Sequence, residues 1–165
     1  MDHRLLRADE LGIRLEIVAG LPIWEPQPVY RHQKAVDRIR ASIGKNSAGA
    51  DNASQTCECI HAGDVYVRFP DGSLKRPDIS IFCREPDEQE EAITLTPEAV
   101  IEVISKGYEA KDLDIGPQFY LSQGVKDVVV FNPYTLVVLH VRCDKATRHI
   151  SPVNIDLLCG CYCTV

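Results

Sequence analysis

The sequence predicts an α/β fold, a mixed β-sheet flanked by helices, and three observations carry that expectation. Short apolar or alternating runs recur between turn signals from residue 13 to residue 141. Two segments read as helices, one by apolar residues at three- and four-residue spacing, the other by a Pro at its start and a Gly past its end. No repeat or linker divides the 165 residues, so a single domain over residues 1–165 with one hydrophobic core is expected.

The elements follow in order. IRLEIV (13–18) alternates apolar and polar side chains and reads as a first strand ending at Ala19-Gly20. PIWEPQP is Pro-rich and extended, and it delivers the chain to a helix spanning about residues 29 to 44. Ala35, Val36, Ile39 and Ile43 form the apolar stripe of that helix, and Gly44 stands where a C-cap is expected. KNSAGADNASQ (45–55) is small and polar, hence a loop. Strand-like runs at 56–61 and 64–69 precede the turn PDGS, and PDISIF (77–82) follows it. REPDEQEEA (84–92) reads as an acidic, solvated loop. AVIEVIS (99–105) is apolar towards both faces, as a central strand is. PQFYLSQG (117–124) is the second helix. KDVVVFNP and TLVVLHV are strands around an Asn-Pro-Tyr turn, and the segment after residue 143 fits no pattern.

Composition narrows the function. Hydrophobic residues make up 45% and charged residues 25%, the balance of a globular protein. No apolar stretch approaches bilayer length, and the opening MDHRLLRADELGIRLEI has no apolar signal core, so a cytoplasmic protein without membrane contact is expected. A net charge of −6 argues against electrostatic coating of nucleic acid, but not against an enzyme with a locally basic face. RHQKAVDRIRASIGK (31–45) supplies Arg31, Lys34, Arg38, Arg40 and Lys45 against Asp37, either such a face or an ordinary solvated one.

Seven cysteines, at 57, 59, 83, 143, 159, 161 and 163, fall as CxC and CxCxC. The odd count and the missing secretory signal argue against a disulfide framework. On strands, alternate thiols share a face, and buried apolar thiols are the favoured reading. A zinc or iron site using Cys57, Cys59 and the 159–163 triplet stays open, because His61 would share the face of Cys57 and Cys59.

Chemistry concentrates in two acids that interrupt apolar strands. Asp78 opens DISIF and Glu102 lies inside AVIEVIS. Burying an unpaired carboxylate costs several kcal/mol, so each needs a partner: a base, a shared proton or a metal ion. On neighbouring strands the two would form a hard oxygen site suited to Mg²⁺, with the Val103 backbone carbonyl as a third ligand. A structural ion pair for Glu102 is the alternative.

Pro77-Asp78 followed by Glu102 and an apolar pair resembles the PD-(D/E)xK nuclease signature. Within that superfamily the chain is similar to the Uma-type restriction endonuclease family of small bacterial proteins. Glu16, Gly20, Pro26 and His32 match that family's opening pattern, RPDISIF its Pro-Asp strand, and EVIS its Glu strand. Asp112, Tyr120, Gly124 and Val125 match its helix, and VVVFNP its closing strand, with Asn132 where the family has Asp. Resemblance covers roughly residues 13 to 142. It implies a restriction-endonuclease-like core, a Mg²⁺ (or Mn²⁺) cofactor, a nucleic-acid partner, DNA above RNA, and a possible homodimer.

The chain departs from the pattern at the catalytic lysine. Two residues after Glu102 stands Ile104, and the alternative position on the helix holds Gly116. Lys106 is the expected substitute and Lys111 the reserve. The resemblance thus assigns Asp78, Glu102, Lys106 and Glu16 to catalysis and Asp78, Glu102 and Val103 to the metal. Glu16 is otherwise the polar half of an alternating strand, and His32 a helix-capping residue. The rival reading is a degenerate family member that binds without cutting.

Overall fold

The computed structural model describes residues 3–46, 56–88, 91–108, 113 and 115–165. A first helix, α1 (His3–Glu10), is amphipathic and went unanticipated; Leu5 and Ala8 pack it against Leu15, Ile17 and Leu74. β1 (Arg14–Val18) turns through Ala19 and Gly20, both at positive φ, into β2 (Leu21–Glu25). PIWEPQP therefore contributes a strand rather than a bare extended linker. β2 is the outer strand of its sheet, where Pro22 removes no needed ladder donor.

The apolar stripe becomes α2 (Tyr30–Ser42), which buries Ala35, Val36 and Ile39 against Ile79, Ile101 and Phe131. Truncating the fully buried Ile39 to Ala would cost about 2–5 kcal/mol. Gly44 does not cap this helix. Ile43 does, and Gly44 opens the short strand β3 (Gly44–Lys45). It faces Tyr162 there, and a Cβ at position 44 would lie 2.9 Å from the Tyr162 hydroxyl oxygen, so a larger residue would have to displace that ring.

The run expected as a strand over 56–61 forms only β4 (Ile60–Ala62), and the run over 64–69 only β5 (Val67–Arg68). After the PDGS turn come β6 (Leu74–Lys75), β7 (Ile79–Phe82) and β8 (Ala99–Val103). Helix α3 (Gly116–Ser122) starts with Pro117 in its first turn, and β9 (Asp127–Phe131) and β10 (Val137–Val141) follow. The unassigned C-terminal segment builds β11 (Ala146–Ile150), β12 (Asn154–Asp156) and β13 (Cys161–Thr164).

These strands form three sheets. The largest runs β11-β10-β9-β8-β7-β4, with β8 central as its two-faced apolarity predicts. β8 is antiparallel to β7 and parallel to β9, so the sheet is mixed. Its odd-numbered β8 side chains meet α2 and the C-terminal sheet β12-β13-β3; its even-numbered ones meet Tyr120 and Phe69. The third sheet, β2-β1-β6-β5, brings Glu16 and Lys75 to the same end of the molecule. Asp127 anchors the C-terminal segment: fully buried at the start of β9, it accepts from Arg142 Nε at 2.6 Å and the Leu158 amide at 2.8 Å, and lies 2.7 Å from His140 Nε2. Among the described residues no helix is long and apolar enough to cross a membrane.

Candidate functional site

The antiparallel register of β7 and β8 pairs Ile79 with Ile101, so one step further Asp78 faces Glu102. The contact is direct: the Asp78 amide donates to Glu102 Oε2 at 3.2 Å. Asp78 Oδ2 accepts from the Val103 amide at 2.8 Å and lies 3.0 Å from His32 Nε2. A carboxylate only accepts, so His32 Nε2 carries the proton in that bond. Asp78 Oδ1 has no hydrogen-bond donor among the described residues.

Glu102 sits on the α3 side of the sheet, and the hydroxyl of Tyr120 donates to its Oε1. Tyr120 is fully buried. Burial first, then the negative charges of Glu102 and Glu16, push its phenol well above the ordinary range, so it remains a protonated donor. Behind it lies a buried ion pair, Lys75 Nζ to Glu16 Oε2 at 2.8 Å, and Glu16 Oε1 also takes the Arg76 amide at 2.7 Å. The Lys75 ammonium stands 5.0 Å from the centre of the Tyr120 ring, a cation–π distance. Nothing in the sequence pointed to Lys75: it pairs with a residue 59 positions away, and only the β1-β6 adjacency brings them together.

Asp78, Glu102, Val103 and His32 line one small pocket with Arg14, Glu25, Pro26, Pro28, Ser105 and Tyr108. It has room, about 20 Å³, for one water or one small ion. Its donors are oxygens of the hard type that Mg²⁺ and Mn²⁺ accept, and Asp78 Oδ1 is open for such a contact, so the residues present fit a divalent cation.

The structure thus brings Asp78, Glu102, Val103 and His32 together, with Glu16 one layer behind. Lys106 is exposed in the turn following β8. Lys111 and Asp112 lie outside the described residues. Gly116 is buried in the first turn of α3. Phe119 and Tyr120 pack with Phe69, their ring centres 5.3 and 5.6 Å from its own.

Two expectations about thiols and imidazole are corrected. Residues 56–59 are irregular rather than a strand, and Cys59 takes a positive φ of 54°. Cys57 and Cys59 therefore do not align on a strand face, whereas Cys161 and Cys163 share the buried face of β13; the structure joins Cys57 to Cys83 and Cys59 to Cys161, where the odd count argued against disulfides. His61 turns instead to Arg40, whose Nε is 3.5 Å from Nδ1, and burial followed by that positive charge lowers the imidazole pKa.

On the neighbouring face of α2, Tyr30, Arg31, Lys34 and Arg38 line a cleft of about 360 Å³ with Phe131 and Pro133. Arg31 stacks over Tyr134 at 5.0 Å and Arg38 over Phe131 at 5.7 Å. Arg31, Lys34 and Arg38 are thus arrayed along a groove on the helix that also carries His32, which contacts Asp78.

A mixed sheet with facing acids at the ends of adjacent strands, wrapped by helices, defines a nuclease-like α/β fold. The chain belongs to the Uma2 family, described as "Putative restriction endonuclease", whose profile matches residues 2–156. Among solved structures it is similar to one described as a putative nuclease belonging to DUF820 from Anabaena variabilis ATCC 29413. That similarity has a TM-score of 0.63 at 20% identity, covering 86% of this chain and 79% of the other. No curated protein matches the sequence.

Proposed function

We propose that this protein is a Mg²⁺-dependent (or Mn²⁺-dependent) endonuclease that hydrolyses nucleic-acid phosphodiester bonds, with DNA as the first substrate to test. The observation that carries this reading is the direct apposition of Asp78 and Glu102 on adjacent strands, at a pocket sized for one ion. Asp78 and Glu102 are the cation's carboxylate ligands and the Val103 carbonyl its backbone ligand. When bound, the ion polarises the scissile phosphate and lowers the pKa of its water.

The chain's own groups hold this arrangement. His32 and the Val103 amide fix one Asp78 oxygen and leave the other for the pocket. Tyr120, kept protonated, fixes Glu102. Glu16 and Lys75 form a charged pair that positions Tyr120 from behind. Lys75 is too buried to meet a substrate phosphate, so the charge-balancing role goes to the exposed Lys106. Arg31, Lys34 and Arg38 receive the phosphate backbone along their cleft.

The test is plasmid nicking with and without Mg²⁺, comparing wild type with Asp78→Asn and Glu102→Gln. Loss of cleavage in both variants, with circular dichroism unchanged, is the expected result. Equal cleavage by wild type and Glu102→Gln would remove this site from the chemistry. Ile104 and Gly116, standing at both lysine positions of the family pattern, favour a second reading, a binding module that no longer cuts. Calorimetric Mn²⁺ binding without nicking by the wild type selects that reading.

A further inference from the structure

We infer that, with its cysteines reduced, the protein binds one zinc ion through Cys57, Cys59, Cys83 and Cys161, away from the carboxylate site. Three sulfurs, those of Cys57, Cys59 and Cys161, occupy the space of one metal centre, and that of Cys83 is bonded to Cys57 beside them. The Sγ atoms of Cys57, Cys59 and Cys161 all lie within 4.8 Å of one another, and those of Cys57, Cys83 and Cys159 do too. Between the two disulfides, Cys57 Sγ and Cys161 Sγ are 3.5 Å apart. A tetrahedron of thiolates around zinc, with metal–sulfur bonds of about 2.3 Å, separates its sulfurs by about 3.8 Å. A cluster of several irons holds its thiolates further apart than a single metal does. The donor set is all soft sulfur, which selects zinc over Mg²⁺.

The backbone suits the role. Cys59 sits at φ 54° in irregular backbone, and Cys161 directly follows the turn at Gly160, φ 89°. Cys57, Cys59 and Cys161 are buried and lie in the same core cluster as Ile79, Ile81 and Leu157. Cys83 directly follows β7 and Cys161 opens β13, so the metal would fasten the C-terminal sheet to the large one. Chemically, each disulfide takes two electrons and two protons from a dithiol such as dithiothreitol, whose own sulfurs close into a ring. The four thiols then release four protons as Zn²⁺ binds.

The experiment uses the full chain, purified in dithiothreitol without chelator. Elemental analysis, Co²⁺ replacement and metal release by a mercurial thiol reagent are read together. The expected result is one zinc per chain, visible Co²⁺ bands of tetrahedral thiolate type, and metal release that tracks the reaction of four thiols beyond the free Cys143, Cys159 and Cys163. Cys161→Ser should lose stoichiometric zinc, whereas Cys143→Ser, exposed and outside the group, should keep it. Should Cys161→Ser fail to fold, the mercurial titration of wild type decides alone. Three results would overturn the inference: reduced protein without zinc, iron with acid-labile sulfide, or both disulfides surviving dithiothreitol in the native protein. None of them depends on whether the carboxylate site cuts nucleic acid.

Discussion

Lys75 Nζ lies 2.8 Å from Glu16 Oε2, with both side chains almost completely withdrawn from water. Removing one partner takes this close ion pair out of the interior and leaves the other charge buried, which costs about 3–5 kcal/mol. Lys75→Met and Glu16→Gln should each lower stability by that order in urea unfolding. The double variant should lose less than the sum of the two, because their mutual attraction is counted once. Additive losses would show that the two do not act as a pair.

Tyr120→Phe removes the hydroxyl that fixes Glu102 and almost no packing volume. Cleavage should fall by roughly tenfold or more, and the thermal midpoint by several degrees, since a hydrogen bond to a charged group is worth about 1.5–3 kcal/mol. Its pH profile should show no tyrosine ionisation below about pH 10 in the wild type, because burial raises the phenol. Unchanged nicking by Tyr120→Phe would detach α3 from the site's chemistry.

Lys106→Ala tests the charge-balancing assignment. Cleavage should drop about 10²–10³-fold while the calorimetric affinity for Mn²⁺ stays the same. A parallel loss of metal affinity would make Lys106 a structural residue instead.

Asp127 gives a pH dependence. Burial alone would raise its pKa, but hydrogen bonds from His140, Arg142 and the Leu158 amide outweigh it, and the net shift is downward. A carboxylate depressed on folding contributes stability above its unfolded pKa of about 3.8 and loses it as pH falls through the folded value. Asp127→Asn should therefore be destabilised at pH 7, and the gap from wild type should close towards pH 3 in denaturant titrations. A gap independent of pH would contradict the ionised state.

Replacing Arg31 and Arg38 together by Ala should weaken DNA binding across sequences. If each meets one phosphate, the slope of log K against log salt should fall by about 1.8. An unchanged slope would leave the cleft outside the interface.

How much was legible depended on whether a residue's neighbours were close in sequence. The stripe of α2 and the two-faced apolarity of β8 were visible because they are local periodicities. Asp78 and Glu102 stood out because each breaks such a pattern, and a surface loop as the sole connection between β7 and β8 made their pairing foreseeable. Lys75 looked like an ordinary charge before an Arg, since its partner Glu16 arrives from another sheet strand. β2 was hidden by Pro22, which disqualifies a central strand but not an edge one. The CxC and CxCxC patterns suggested grouping Cys57 and Cys59 with the 159–163 triplet, but the part of Cys83 was illegible because only the fold brings it to Cys57.

The carboxylate pocket has a consequence for how the protein can fail. Its walls come from positions 14, 26, 32, 78, 102 and 108, and its support from 16, 75 and 120, so no short contiguous fragment contains it. Divalent-ion affinity should therefore vanish in the same urea transition as the circular dichroism signal, as one cooperative event rather than a prior local loosening.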